Sequence, residues 1–189
     1  MLTFGDLVTR PDRLHDLNRA DVLIAASGSG EVVVRDKPAG PPQSTMVFMH
    51  ETITMMKAER AEQVDKLRGV VGPDSTVVPL AKKPGSLWDH ITVGRASTAD
   101  IVVNDPATSS VHAHFALGVD DHPVSVQDVG SSNGTFVNRK ALQPHSLTPL
   151  TSGDCVRFGQ SVFYYVSYVV LADMVTAGAL LADFSPPSS

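Results

Sequence analysis

Short polar motifs stand at the ends of alternating apolar runs, and this arrangement constrains the fold more than any other feature. In order, the motifs are Gly94-Arg95, residues 109–112 (Ser-Ser-Val-His), residues 128–135 (Asp-Val-Gly-Ser-Ser-Asn-Gly-Thr) and Asn138. Alternation predicts half-buried strands, and small polar residues between such runs predict turns. One fixed cation with several hydroxyl and amide groups on turns can hold a phosphate without transforming it. The pattern therefore indicates a binding module.

The second half of the chain reads as a series of short strands. The alternating runs cover residues 76–80, 91–94, 101–103, 112–117, 124–128, 135–138, 155–158 and 162–168. Many short strands separated by regular turn signals are typical of an all-β sandwich. We therefore predict a mainly β protein, with a β-sandwich over residues about 75–170.

The chain divides near residues 72–75 (Gly-Pro-Asp-Ser), because all of its glutamates precede this point. We expect an N-terminal extension (1–74), the sandwich (75–170), and a C-terminal helix with a disordered tail (171–189). In the extension, residues 22–24 and 32–34 flank a Gly-Ser turn and predict a hairpin. Helical spacing of apolar residues predicts a helix over about 52–68. The extension is thus a small α+β segment whose function the sequence does not give.

Composition disfavours several classes of function. The net charge is −5 and no basic run occurs, which disfavours nucleic-acid binding. The apolar stretch 162–181 is interrupted by Asp173 and lacks flanking cations, so we expect no membrane partner and a cytoplasmic location. The single cysteine, Cys155, excludes an intrachain disulfide. His112 and His114 share a strand face, but no third ligand is near them, so we expect no metal and no cofactor.

Taken together, the motifs resemble the forkhead-associated (FHA) domain, a phosphothreonine-binding β-sandwich, over roughly residues 75–170. Beyond the motifs above, residues 100–103, Ala113, Gly153-Asp154, Gly159 and Phe163 match the family pattern. The resemblance implies a phosphothreonine-dependent protein–protein interaction module. Such a module would act as a signalling adaptor on proteins phosphorylated by a Ser/Thr kinase.

The same resemblance implies roles for individual residues. It assigns phosphothreonine contact to Arg95, Ser109, Ser110, Ser132 and Asn133. It assigns support of the binding loops to Gly94, His112, Gly134 and Asn138. Loops read the ligand residues after the phosphothreonine, and the candidates here are Arg139, Gly159 and Gln160.

The chemistry of these residue types agrees with the implied roles. A guanidinium offers a rigid fork of donors to phosphate oxygens, and a hydroxyl can donate a hydrogen bond to the same oxygens. Asn133-Gly134 is a strong turn signal because both residues tolerate positive φ. The family often has arginine where this chain has Ser110, so Arg95 is the only cation that the motif assigns to the phosphate.

Three alternatives stay open beside this interpretation. The sandwich could serve a phosphorylation-independent interaction protein. Ser109, His112 and Asp128 could suggest a catalytic triad, but the binding motif claims the first two, and we expect no enzyme. Phosphorylated Thr52 or Thr54 could bind the chain's own domain, as in some family members, although both threonines fit the start of a helix or the strand before it.

Overall fold

The computed structural model describes residues 1–26, 32–33, 50–118 and 123–182. The helices are α1 (Phe4–Thr9), a 3-10 helix (Pro11–Leu17), α2 (His50–Arg68) and α3 (Tyr168–Ala182). The strands are β1 (Val22–Ala25), β2 (Val32–Val33), β3 (Val77–Pro79), β4 (His90–Gly94), β5 (Ile101–Val103), β6 (Ala113–Leu117), β7 (Pro123–Asp128), β8 (Thr135–Val137), β9 (Lys140–Ala141), β10 (Thr148–Pro149), β11 (Cys155–Phe158) and β12 (Ser161–Val166).

The strands form two sheets. Sheet I has the order β3-β1-β12-β11-β8-β9, and sheet II has the order β10-β7-β6-β4-β5-β2. Neighbouring strands are antiparallel, except that β4 and β5 run parallel. The predicted β-sandwich is confirmed, and every strand predicted after residue 75 is present with its bounds shifted by at most a few residues.

The main core lies between the two sheets. Alternate residues of each strand point inward: Val156 and Phe158 are buried in β11, and Ala113 and Phe115 are buried in β6. The rings of Phe115 and Phe158 meet edge to face with 6.2 Å between their centroids. This aromatic contact joins the two sheets, because Phe115 lies in β6 of sheet II and Phe158 lies in β11 of sheet I.

A second apolar cluster lies between sheet I and the helices. It includes Leu7 of α1, Ile24 of β1, Leu67 of α2 and Leu171 of α3, all buried. The apolar run that had suggested a membrane segment is therefore β12 followed by α3, packed on the sheet. Within the described ranges, no helix is both long and apolar enough to cross a membrane.

The predicted hairpin in the first half is wrong. β1 pairs with β3 and β12 in sheet I, whereas β2 pairs with β5 in sheet II. All four residues of β1 are buried, because the core covers one face of the strand and the helices cover the other. A strand that is apolar on both faces belongs inside a sheet, so the first half of the chain contributes directly to the sandwich.

The helices predicted in the N-terminal extension and at the C-terminus are both present, whereas two other predictions for these segments stay predictions. The predicted helix over about 52–68 is present as α2, and Thr52 and Thr54 lie in its first turns. The phosphorylation switch at these threonines stays a prediction. The C-terminal helix is present as α3, and the tail 183–189 lies outside the described residues. The domain boundary near residue 74 also stays a prediction.

The helix α1 and the two-residue strands β9 and β10 were not predicted from the sequence. The helix α1 carries a reciprocal cap, since Thr3 Oγ1 accepts from the Asp6 amide and Asp6 accepts from the Thr3 amide. The spacing Thr3-x-x-Asp6 is a readable signal for the start of a helix. The strands β9 and β10 have two residues each, too few for any alternation to appear.

Candidate functional site

Four loops meet at one end of the sandwich, and backbone contacts join them. The Arg95 amide donates to the Ser109 carbonyl at 2.9 Å, which ties the end of β4 to the loop after β5. The Ser132 amide donates to Ser109 Oγ at 3.0 Å. Gly159 N donates to the Gly134 carbonyl at 3.3 Å. The motifs that lay far apart in the sequence thus form one surface.

Gly94 permits the closest of these approaches. A Cβ built on Gly94 would lie 2.1 Å from the Ser110 carbonyl oxygen and 3.0 Å from the Val111 Cα. Only a residue without a side chain fits, because both contacts are with backbone atoms. Gly94 therefore lets the segment 109–112 lie directly against the end of β4.

Arg95 is the exposed cation of this surface. Its Nε donates to the Thr108 carbonyl at 3.2 Å, which leaves both Nη groups without a protein partner among the described residues. Thr108 is itself buried, and its Oγ1 donates to the Phe158 carbonyl at 3.3 Å. The protein thus holds the guanidinium at Nε, and the two Nη groups remain available to bind an anion.

Small polar side chains lie on the loops that meet near Arg95. The hydroxyl oxygens of Ser109 and Ser132 lie 3.5 Å apart, at the limit of a hydrogen bond. Asn133 Nδ2 donates to the Ala107 carbonyl at 2.8 Å, which binds the 132–134 loop to the loop after β5. Ser110 is exposed beside Ser109. The five residues predicted to contact phosphothreonine therefore do come together.

Comparisons with known proteins show the family to which the chain belongs. The family model described as "FHA domain" matches residues 91–159. The glycogen accumulation regulator GarA of Mycobacterium tuberculosis is 32% identical over 127 residues, which cover 62% of this chain and 75% of that protein. The chain belongs to the FHA domain family. It is thus an FHA module, a class of phosphothreonine-binding domain.

Two further proteins are similar to part of the chain. An FHA domain-containing protein of Arabidopsis thaliana is 35% identical over 92 residues, which are 48% of this chain and only 22% of that relative's length. The crystal structure of the FHA domain of CT664 from Chlamydia trachomatis is 28% identical, with a TM-score of 0.39, and covers 49% of this chain and 86% of that one. The similarity to these two proteins thus concerns about half of the chain.

His112 connects two of the FHA loops through hydrogen bonds from its buried ring. It is fully buried; its Nδ1 accepts from the Ser109 amide at 3.0 Å, and its Nε2 lies 3.2 Å from the Gly134 carbonyl. A carbonyl only accepts, so Nε2 carries the proton and the ring is neutral. Burial lowers the pKa of His112, against the opposing effects of the Gly134 carbonyl and the Asp128 charge.

Asp128 organises the turn that carries Ser132 and Asn133. Its carboxylate accepts from the amides of Gly130 and Ser131 and from the hydroxyls of Ser131 and Thr135, all within 2.6–2.9 Å. Burial alone would raise the pKa of Asp128, but these four hydrogen bonds lower it from 3.8 to about 2. The carboxylate is therefore ionised whenever the loop is folded near neutral pH.

The lowered pKa values of His112 and Asp128 predict that the free energy of unfolding decreases in acid. Below the ordinary histidine pKa of about 6.5, the unfolded chain binds a proton that buried His112 resists, so the free energy of unfolding decreases. A second decrease of about 2 kcal/mol follows as pH falls from about 4 to about 2, where the unfolded chain protonates Asp128 first. Urea unfolding across a pH series measures both steps. A stability that stays constant between pH about 7 and about 5 would contradict the role of His112.

Not every predicted FHA site residue lies with the others. Gly159 and Gln160 form the turn beside Gly134, as expected of a ligand-reading loop. Asn138 and Arg139 lie at the far end of β8 from Gly134, in the turn to β9. Asn138 there bonds Asp154 and the Cys155 amide, at 2.7 and 3.0 Å. Arg139 is thus separated by the length of β8 from the turn that carries Ser132 and Asn133.

One positioning residue was missed. Asp105 accepts from the Ala107 amide at 2.8 Å and from Ser161 Oγ at 2.7 Å. Burial would raise the pKa of Asp105, but these bonds and the amides of Gln160 and Ser161 lower it. Asp105 therefore holds the loop after β5 against the turn 159–160. An Asp-Pro pair between two strands is a turn signal that could have indicated it.

The geometry at this site does not correspond to a catalytic triad. His112 bonds the Ser109 amide rather than its hydroxyl, and Asp128 bonds hydroxyls and amides rather than His112. Residues 130–134 match the pattern Gly-x-Ser-x-Gly, but they join two strands rather than a strand and a helix. Within the described part of the chain, no three His, Cys, Asp or Glu residues cluster as metal ligands.

Proposed function

We propose that this FHA chain binds phosphothreonine-containing proteins at the surface formed by Arg95, Ser109, Ser110, Ser132 and Asn133. The observation that carries the proposal is the guanidinium of Arg95, whose Nε bonds the carbonyl of Thr108. Thr108 directly precedes Ser109, whose hydroxyl lies 3.5 Å from that of Ser132. Phosphate oxygens accept hydrogen bonds from donors of this kind, and each bond to a charged acceptor contributes about 1.5–3 kcal/mol.

The proposed role is that of a non-catalytic adaptor. Its partners are proteins phosphorylated on threonine, with a Ser/Thr kinase that creates the mark, in the cytoplasm. GarA is named a regulator, which supports a regulatory role for a related chain. In this role the polar groups of the site donate hydrogen bonds to the ligand or support the loops, and no covalent bond is formed or broken.

The proposal predicts that Arg95→Ala weakens binding of a phosphothreonine peptide by about 30-fold to 100-fold. The variant loses the fork of charged donors, equivalent to about 2–3 kcal/mol. Isothermal titration calorimetry on wild type and variant, with the phosphorylated peptide and its unphosphorylated form, measures the effect.

The matched control is Arg13→Ala. Arg13 forms an exposed ion pair with Asp16 at 3.4 Å in the 3-10 helix, so its loss leaves the affinity unchanged. Equal affinities of the wild type for phosphorylated and unphosphorylated peptides would overturn the proposed function.

A phosphorylation-independent interaction surface is the second candidate. Ser110 favours it, because a neutral hydroxyl stands where the family often has a second cation. A folded protein that fails to bind across a phosphothreonine peptide library, but still captures an unmodified partner, would establish this alternative.

A further inference from the structure

Arg157 is a second cation near the phosphate-binding surface, and no FHA motif assigns it a role. It lies in β11, directly opposite Phe136 of β8. Its guanidinium carbon sits 3.7 Å above the centroid of the Phe136 ring, and its Nη1 donates to the Gly159 carbonyl. The ring and the carbonyl fix the guanidinium from two sides, so little side-chain entropy remains to be lost when a ligand binds.

The partners of Arg157 belong to the binding loops. The Phe136 ring packs against Gly134, since a Cβ on Gly134 would lie 3.3 Å from it. Gly159 N donates to the Gly134 carbonyl, at 3.3 Å. Asn133 immediately precedes Gly134 and is exposed. Arg157 therefore borders the same turn as Asn133.

The charge of Arg157 has no counterion in the described part of the chain. Among the described residues, no carboxylate lies within 4.0 Å of its nitrogens. The carboxylates nearest the loops, Asp105 and Asp128, are already satisfied by internal donors. A half-buried, oriented and unpaired guanidinium suits a carboxylate supplied by a ligand, because the fork accepts a carboxylate through two parallel hydrogen bonds.

The contacts of Arg157 are not needed to hold the turn 159–160. Asp105 already fixes that turn from the other side, through Ser161 Oγ at 2.7 Å and through the amides of Gln160 and Ser161. The neighbouring Gly159 is held by its bond to Gly134. A purely structural role therefore leaves the charge of Arg157 unexplained.

We propose that Arg157 recognises an aspartate or glutamate side chain of the ligand close to its phosphothreonine. This inference rests on the proposed function. With the phosphate held by Arg95, Ser109 and Ser132, a peptide chain that passes Asn133 reaches the turn that Arg157 borders. Arg157 then makes the site selective for acidic peptides.

The test uses one phosphothreonine peptide in which each flanking position in turn carries Asp or Asn. We expect the full-length wild type to prefer Asp by about threefold to tenfold at one position, the range of a partly exposed charge-assisted pair. Arg157→Gln abolishes this preference while its affinity for the Asn peptide stays unchanged. Thermal unfolding verifies that the variant is folded.

Two further variants separate charge recognition from a structural role. Arg157→Glu is expected to prefer Lys over Asp at the same position, which a merely structural arginine would not produce. Arg139→Gln, which removes a cation at the far end of β8, keeps the Asp preference. A wild type with equal affinities for the Asp and Asn peptides, or an Arg157→Gln variant that retains the preference, overturns the inference. If the wild type binds no phosphothreonine peptide, the proposed function fails as well.

Discussion

Replacing Gly94 by alanine is expected to destabilise the protein by about 2–4 kcal/mol and to abolish phosphopeptide binding. The added Cβ would lie 2.1 Å from the Ser110 carbonyl oxygen and 2.8 Å from its carbonyl carbon. Both are backbone atoms, so relief requires displacement of the segment 109–112 rather than rotation of a side chain. Overpacking of this kind costs about 1–3 kcal/mol, and the backbone bonds from Arg95 and Ala96 to this segment are weakened in addition.

The two effects of Gly94→Ala have one cause and are measured separately. Urea denaturation gives the loss of stability, and calorimetric titration with a phosphothreonine peptide gives the loss of affinity. Gly69→Ala is the matched control: a Cβ there meets no atom within 4 Å, so the variant is expected to retain wild-type stability and binding. A Gly94→Ala protein with unchanged affinity would show that the position of the Ser109–Ser110 backbone does not determine the geometry of the binding site.

Asp128→Asn is expected to destabilise the protein by about 3 kcal/mol. The carboxylate accepts four hydrogen bonds from donors at Gly130, Ser131 and Thr135. An asparagine amide offers one oxygen and places an NH2 group against donors, so buried donors lose their partners at about 1–3 kcal/mol each before relaxation. The turn with Ser132 and Asn133 then loses its fixed shape, and peptide affinity falls with it.

The pH dependence distinguishes Asp128 from general destabilisation. An asparagine side chain at this position cannot titrate, so the variant lacks the loss of stability that the wild type shows as pH falls from about 4 to about 2. Asp65→Asn is the control, because Asp65 is largely exposed and forms only a 3.7 Å ion pair with Arg68. If Asp128→Asn matched the stability of the wild type at neutral pH, the carboxylate would not be the organiser of the turn.

The site was predictable in part because turn chemistry is local. Ser132, Asn133 and Gly134 occur together in a sequence that favours a turn, and Gly134 does adopt positive φ, at 75°. The motif spacing also predicted that Arg95 and Ser109 lie close together, and their backbones are hydrogen-bonded in the structure. Arg139 was predicted to lie with the ligand-reading loops, but β8 runs away from the site and places residue 139 at its far end. Arg157 was not predicted, because its role depends on a cross-strand neighbour, Phe136, that no motif pairs with it.

Local sequence patterns were sufficient to predict the strands after residue 75, the helix α2 and the type of site. Alternation and turn residues act over a few neighbouring positions, so they can be read without knowledge of the rest of the fold. Only the tertiary structure placed β1 and β2 in different sheets, since burial of both faces of β1 depends on helices distant in sequence. Only the structure joined Arg157, Phe136 and Gly159 at the edge of the site, because strand register and the packing of loop on loop are properties of the whole chain.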